Sequence, residues 1–90
     1  MKKTCFYSLH QGDKAILHDG YTDGLFGYYR HGRTWFAIYP ETGTAAAIEP
    51  TRKAAAAKAH SRLESVIKFY NKHPEHIKTF NNARRKAIFG

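Results

Sequence analysis

Two hydrophobic rhythms divide the chain. From Ala15 to Ile48 apolar and polar residues alternate at period two in short runs separated by turn signals, the pattern of strands exposed on one side. Asp19-Gly20 and Asp23-Gly24 read as breaks, His31-Gly32 as a two-residue hairpin loop, and Pro40-Glu41-Thr42-Gly43 as a longer loop with Gly43 supplying a left-handed residue. The strands expected are Leu25 to Arg30, Arg33 to Tyr39 and Thr44 to Ile48. An earlier strand near Phe6 to Leu9 or Ala15 to His18 would flank them. From Thr51 the period changes. Ala56, Ala59, Leu63, Val66, Ile67 and Tyr70 share one helical stripe, which predicts a helix from Thr51 to about Asn71. Pro74 suits a first helical position, and Ile77, Phe80, Ala83 and Ala87 mark a second helix over about 74–88. The fold class expected is α+β: one small domain over 1–90, an antiparallel β-meander of three to four strands over about 4–48, then two C-terminal helices on one face. Ala45 to Ala47 and Ala54 to Ala57 are small enough to let helix and sheet approach closely.

A hairpin closed at His31-Gly32 would pair Arg30 with Arg33, Tyr29 with Thr34 and Tyr28 with Trp35. Alternation then puts Phe26, Tyr28, Arg30, Arg33, Trp35, Ala37 and Tyr39 on one face, and Leu25, Gly27, Tyr29, Thr34, Phe36 and Ile38 on the other. The second set is suited to lie under the helices. The first set would then meet water, and exposed aromatics interleaved with arginine are what single-stranded nucleic acid requires. The alternative is that Phe6, Tyr7, Leu9, Ile16 and Leu17 fold back and cover this aromatic face. Two opposed arginines at the tip should repel unless an anion sits between them.

Charge sharpens the picture. The 90 residues carry a net charge of +8, and none of it comes from the first 50, where five Lys or Arg are matched by five acids. Residues 51–90 hold ten cations against Glu64 and Glu75. Such asymmetry favours a polyanionic partner. At the start of the first helix Thr51 is the expected N-cap, followed at once by Arg52 and Lys53. Cations there oppose the helix dipole, at a cost of about 0.3–1 kcal/mol each, unless a phosphate takes the free amides. The competing explanation is that Arg52 and Lys53 are merely solvated or pair with Glu49. Lys78, Arg85 and Lys86 lie on the outward side of the second helix, with Arg84 nearer the apolar stripe.

Little in the sequence points to catalysis. There is no paired set of inward carboxylates, nucleophile motif or glycine-rich phosphate loop, and the chain is read as a non-enzyme without cofactor. His73-Pro74-Glu75-His76 supplies only two histidines, so no metal is expected. One cysteine, Cys5, cannot form an internal disulfide, which suits a cytoplasmic protein with a reduced thiol. TCFYSLHQGDK after Met1-Lys2-Lys3 lacks the apolar run of a signal peptide, and no segment is long enough to cross a bilayer, so no membrane role is expected.

The segment GYYRHGRTWFAIYPETGTAAAIEPTRKAAAAKA resembles, in its order of sheet then helix, the arm-binding domains of phage-type integrases and related plant DNA-binding domains, in which the sheet enters a DNA groove. That likeness implies Arg30, Arg33 and Trp35 as base or backbone readers. Small size, basicity and six histidines are similar in composition to bacterial toxin ribonucleases of the RelE kind, which place helices before most of the sheet. The reading preferred is a nonenzymatic module binding DNA or RNA through Tyr28, Arg30, His31, Arg33, Trp35, Tyr39, Thr51, Arg52, Lys53, Lys78, Arg85 and Lys86. Its alternatives are a phage or mobile-element inhibitor of the anti-CRISPR kind, docking on a protein or nucleoprotein, and a metal-independent ribonuclease.

Overall fold

A computed structural model describes residues 1–11 and 13–90. Five strands form one antiparallel sheet in sequence order: β1 (Lys2–His10), β2 (Lys14–Thr22), β3 (Gly27–His31), β4 (Thr34–Ile38) and β5 (Ala45–Glu49). Three helices follow: α1 (Arg52–Ser61), α2 (Leu63–Lys72) and α3 (Glu75–Phe89). The class is α+β with a meander before helices, as expected, but with one strand and one helix more.

The additional strand arises because Asp19-Gly20 is not a turn. β1 and β2 pair along their whole length, from Lys2 opposite Thr22 to His10 opposite Lys14. Gly20 lies inside this ladder, where a Cβ would stand 2.1 Å from the Tyr28 carbonyl oxygen and 2.9 Å from the Phe6 ring. The glycine is there for close approach, not for bending. The turn after β2 is instead built by Asp23, whose Oδ1 accepts the Leu25 and Phe26 amides at 3.0 and 2.9 Å.

The β3–β4 hairpin closes one residue later than the sequence suggested. His31 pairs with Thr34 and Arg30 with Trp35, leaving Gly32 and Arg33 as the loop. Gly32 has φ +62° and Arg33 has no positive φ, so the glycine takes the first central position, where a type II′ turn requires it. Arg30 and Arg33 are therefore not opposed, and the repulsion expected at the tip does not arise. The loop after β4 does place Gly43 at φ +67°.

The helices cover the opposite face from the one expected. α1 packs on β5, β4 and β3, enclosing Phe26, Tyr28, Ala37, Ala46, Ala47, Ala55 and Ala59. Ala37 and Ala47 are paired across β4 and β5, and with Ala55 and Ala59 above them the two layers meet closely. The N-terminal hairpin occupies the other face: the His18 ring stacks on Tyr29 at 3.8 Å, Tyr29 stacks on Phe36 at 4.9 Å, and Phe6 lies against both His18 and Tyr29. It thus covers the Tyr29 face, not the Tyr28 face. Since α1 lies on the Tyr28 face, what remains open of the β3–β4 hairpin there is its end around Arg30 and Trp35, not the whole sheet face that the integrase likeness implied.

The long helix is divided at Arg62, which adopts φ −101°, ψ −2° and donates from Nη1 to the Ala46 carbonyl at 2.8 Å. This turns α2 so that the Tyr70 ring stacks on Tyr39 at 5.6 Å and its hydroxyl meets Thr44 Oγ1 at 2.6 Å. α3 buries Phe80 and Ala83 and packs on β2 and β1. Among the described residues no helix is long and apolar enough to cross a membrane.

Candidate nucleic-acid interface

Thr51 caps α1 as expected, accepting the Ala54 amide at 3.1 Å. Arg52 is then the first helical residue, and its guanidinium reaches back over the sheet, 4.6 Å from the Tyr21 ring centroid and 5.7 Å from that of Trp35. The two rings stand 6.3 Å apart at 45°. Arg30, cross-strand partner of Trp35, is exposed on the same face. Arg30, Trp35 and Arg52, reached from separate parts of the sequence, thus form one patch. Arg33 and Lys53, their neighbours in the hairpin loop and in α1, are exposed, whereas the expected His31 alternates to the Tyr29 face, where its charge acts on His18.

The patch is short of negative charge. Glu49 does not neutralise the helix start; its carboxylate lies 3.8 Å from Lys58. Among the described residues no carboxylate is within ion-pair distance of Arg30, Arg33, Arg52 or Lys53. What compensates Arg52 is two aromatic faces.

Other expected residues lie elsewhere. Tyr28 is fully buried, so it is withdrawn from any contact surface. Its hydroxyl donates to Asp23 Oδ2 at 2.6 Å, and the same oxygen is 2.6 Å from His60 Nε2. Burial opposes ionisation of Asp23, but hydrogen bonds from Tyr28, the Phe26 amide, His60 and the Leu25 amide prevail and hold its carboxyl far below the usual range. Burial, then the Asp23 hydrogen bond and charge, push the Tyr28 phenol well upward. Tyr39 is half-buried between Phe26 and Tyr70. Lys78, Arg85 and Lys86 are exposed on α3, a separate cationic strip over the β1–β2 hairpin. Arg84 folds onto the Phe80 ring at 4.5 Å.

No protein family, curated protein or solved structure matches the chain.

Two groups escaped the sequence reading. Tyr21 is half of the platform under Arg52, yet its strand was expected to break just before it, at Asp19-Gly20. The other group is a buried hydroxyl, Ser8 Oγ, lying 2.9 Å from His10 Nε2 and 2.6 Å from His18 Nε2. A hydroxyl has one proton and two acceptor lone pairs, so at least one of the two imidazoles must donate to it. Burial, then the charges of His10 and His31, hold His18 below its ordinary pKa. Ser8, His10 and His18 share a face only once β1 and β2 pair, and that pairing was the missing signal. Among the described residues no three His, Cys, Asp or Glu side chains gather to hold a metal ion.

Proposed function

We propose that this protein is a nonenzymatic module that binds single-stranded DNA or RNA through Tyr21, Arg30, Trp35 and Arg52. The observation that carries the reading is Arg52, a cation at a helix N-terminus, held over two aromatic rings with no carboxylate partner among the described residues. Phosphate would meet Arg52, Arg30 and Lys53, while bases stack on the Trp35 and Tyr21 rings or on the guanidinium planes. The exposed cations of α3 would add non-specific attraction along the strand. The single exposed thiol, Cys5, agrees with a cytoplasmic setting.

The test is fluorescence anisotropy with labelled single-stranded and duplex oligonucleotides over a salt series, with the oligonucleotides checked for integrity afterwards. Tighter binding of single strands, weakening steeply with salt and lost in Arg30→Ala/Arg52→Ala, supports the reading. Salt-insensitive or absent binding rejects it, and shortened RNA would indicate a ribonuclease instead. Docking on a protein is favoured by one separate feature, the exposure of Phe69 on α2 and of Ile88 and Phe89 at the end of α3.

A further inference from the structure

β2 and β3 pair only at Tyr21–Tyr28 and Thr22–Gly27. Before Tyr21 on β2 and beyond Tyr28 on β3 the strands part, and a cleft of about 360 Å³ opens between them, lined by Asp19, Gly20, Tyr21, Tyr29, Arg30 and Trp35. Asp19, Tyr21, Arg30 and Trp35 all belong to the face that carries Arg52, since each is in register with, or two residues from, a partner on that face. The volume lies within the range of small-ligand sites. One side is aromatic, one is cationic, one is a bare glycine, and one is a carboxylate.

The carboxylate is the informative member. Asp19 is an acid in a patch otherwise built for phosphate, and it does not pair with the neighbouring arginines. Its Oδ1 accepts the Cys5 thiol at 2.9 Å, which fixes its position, while Oδ2 has no protein partner among the described residues. An ionised carboxylate only accepts hydrogen bonds. Among the common bases guanine alone offers two adjacent donors, N1–H and the exocyclic N2 amine, on its Watson–Crick edge. Adenine and cytosine pair one amine with a ring acceptor, and uracil flanks its single N–H with two carbonyls, so each would set lone pairs against the carboxylate.

We infer that the cleft between β2 and β3 is a guanine pocket, in which Asp19 accepts N1–H and N2–H, Trp35 or Tyr21 stacks on the base, and Arg30 and Arg52 hold its phosphate. The inference rests on the nucleic-acid reading and gives it a base specificity. Recognition at the Watson–Crick edge requires an unpaired base, in keeping with a single-stranded ligand. Cys5 acts as a positioning residue for Asp19.

The experiment compares a ten-nucleotide single strand containing one guanine with the same strand carrying inosine, which lacks only the N2 amine, and repeats the comparison with GMP and IMP by following the Trp35 indole N–H resonance. Wild-type protein should favour guanine about tenfold or more, the discrimination typical of a bidentate contact. Asp19→Asn, at an exposed position and confirmed as folded by its melting curve, should lose that preference, with a smaller loss of affinity for inosine, which still presents N1–H to position 19. A guanine-to-inosine ratio near one, or a ratio unchanged in Asp19→Asn, overturns the pocket but leaves general strand binding in place. Selective GMP binding without oligonucleotide binding keeps the pocket and overturns the polynucleotide reading. Absence of binding in both assays overturns both.

Discussion

The Arg52 guanidinium lies 4.6 Å above the centre of the Tyr21 ring, joining the first turn of α1 to the strand before the β3–β4 hairpin. A cation over an aromatic face at a partly exposed site contributes about 0.5–1 kcal/mol, so its removal should leave the fold intact. Binding should respond more. Arg52→Ala is expected to weaken oligonucleotide affinity about tenfold and to reduce the slope of log affinity against log salt by about one phosphate contact. Arg52→Lys should restore the salt slope but not the full affinity, because an ammonium cannot stack as a planar guanidinium does. Anisotropy titrations at four salt concentrations measure both quantities.

Arg30 and Arg33 should not be equivalent. A hairpin with the two arginines opposed would make them partners, but Arg30 stands across from Trp35 and Arg33 sits in the loop beside Gly32. Arg30→Ala is therefore expected to cost several-fold more affinity than Arg33→Ala. Equal losses from the two single variants, measured in the same titration, would place the grip at the tip instead.

How far the sequence could be read depends on which force set each feature. The helix cap at Thr51, the left-handed Gly43 and the strand-then-helix order are local effects, written in residues a few positions apart. The covered face of the sheet is not local. Alternation correctly sorted Tyr28 from Tyr29 but could not say which set the helices would meet. The deciding residue was Ala37, small enough to let α1 approach and located on the Tyr28 side. The β1–β2 pairing was hidden for a similar reason: Asp-Gly is a strong turn signal, and only the tertiary approach of Phe6 and the Tyr28 carbonyl reveals why a glycine is required at position 20. The candidate site was half legible, since Arg30, Trp35 and Arg52 were identified singly, whereas Tyr21 and Asp19 join them only after β2 extends past Gly20.

Gly20→Ala tests that explanation. Its Cβ would meet a backbone oxygen at 2.1 Å, and the carbonyl cannot move without breaking the Tyr21–Tyr28 junction between the N-terminal hairpin and the rest of the sheet. The expected loss is at least about 3 kcal/mol, the range of severe steric substitutions. A melting temperature within two or three degrees of wild type, roughly the shift from half a kcal/mol in a domain of this size, would contradict the close approach.

Asp23 should matter to stability rather than binding. It satisfies the buried Tyr28 hydroxyl and ties His60 of α1 to the turn after β2. Asp23→Asn keeps the shape but removes the charge from both bonds, with an expected loss of about 2 kcal/mol. That corresponds to a fall in Tm of roughly 8–16 °C. Because the folded-state pKa of Asp23 is lowered, the stability its ionised form contributes is complete above the ordinary value of 3.8 and is lost as pH falls through the lowered one. The difference in Tm between wild type and Asp23→Asn should be constant from pH 8 to pH 5 and narrow at strongly acidic pH.

His18 gives a pH dependence of the same sign, but near neutrality. Burial, then the charges of His10 and His31, hold its pKa in the folded state below the ordinary 6.5, so unfolded chains bind the proton more readily. Between the two values the unfolded state carries more protons, and stability must fall as pH drops below 6.5. Protonation would place a charge between the Ser8 hydroxyl and the stacked Tyr29 ring, with the imidazoles of His10 and His31 nearby. His18→Gln retains a hydrogen-bonding group for Ser8 and cannot titrate. Melting curves from pH 8 to pH 5 should show the wild type losing stability below pH 6.5 and the variant following a flatter course. Parallel curves would mean that His18 keeps the same proton affinity in both states, and that the Ser8 contact does not select the neutral ring.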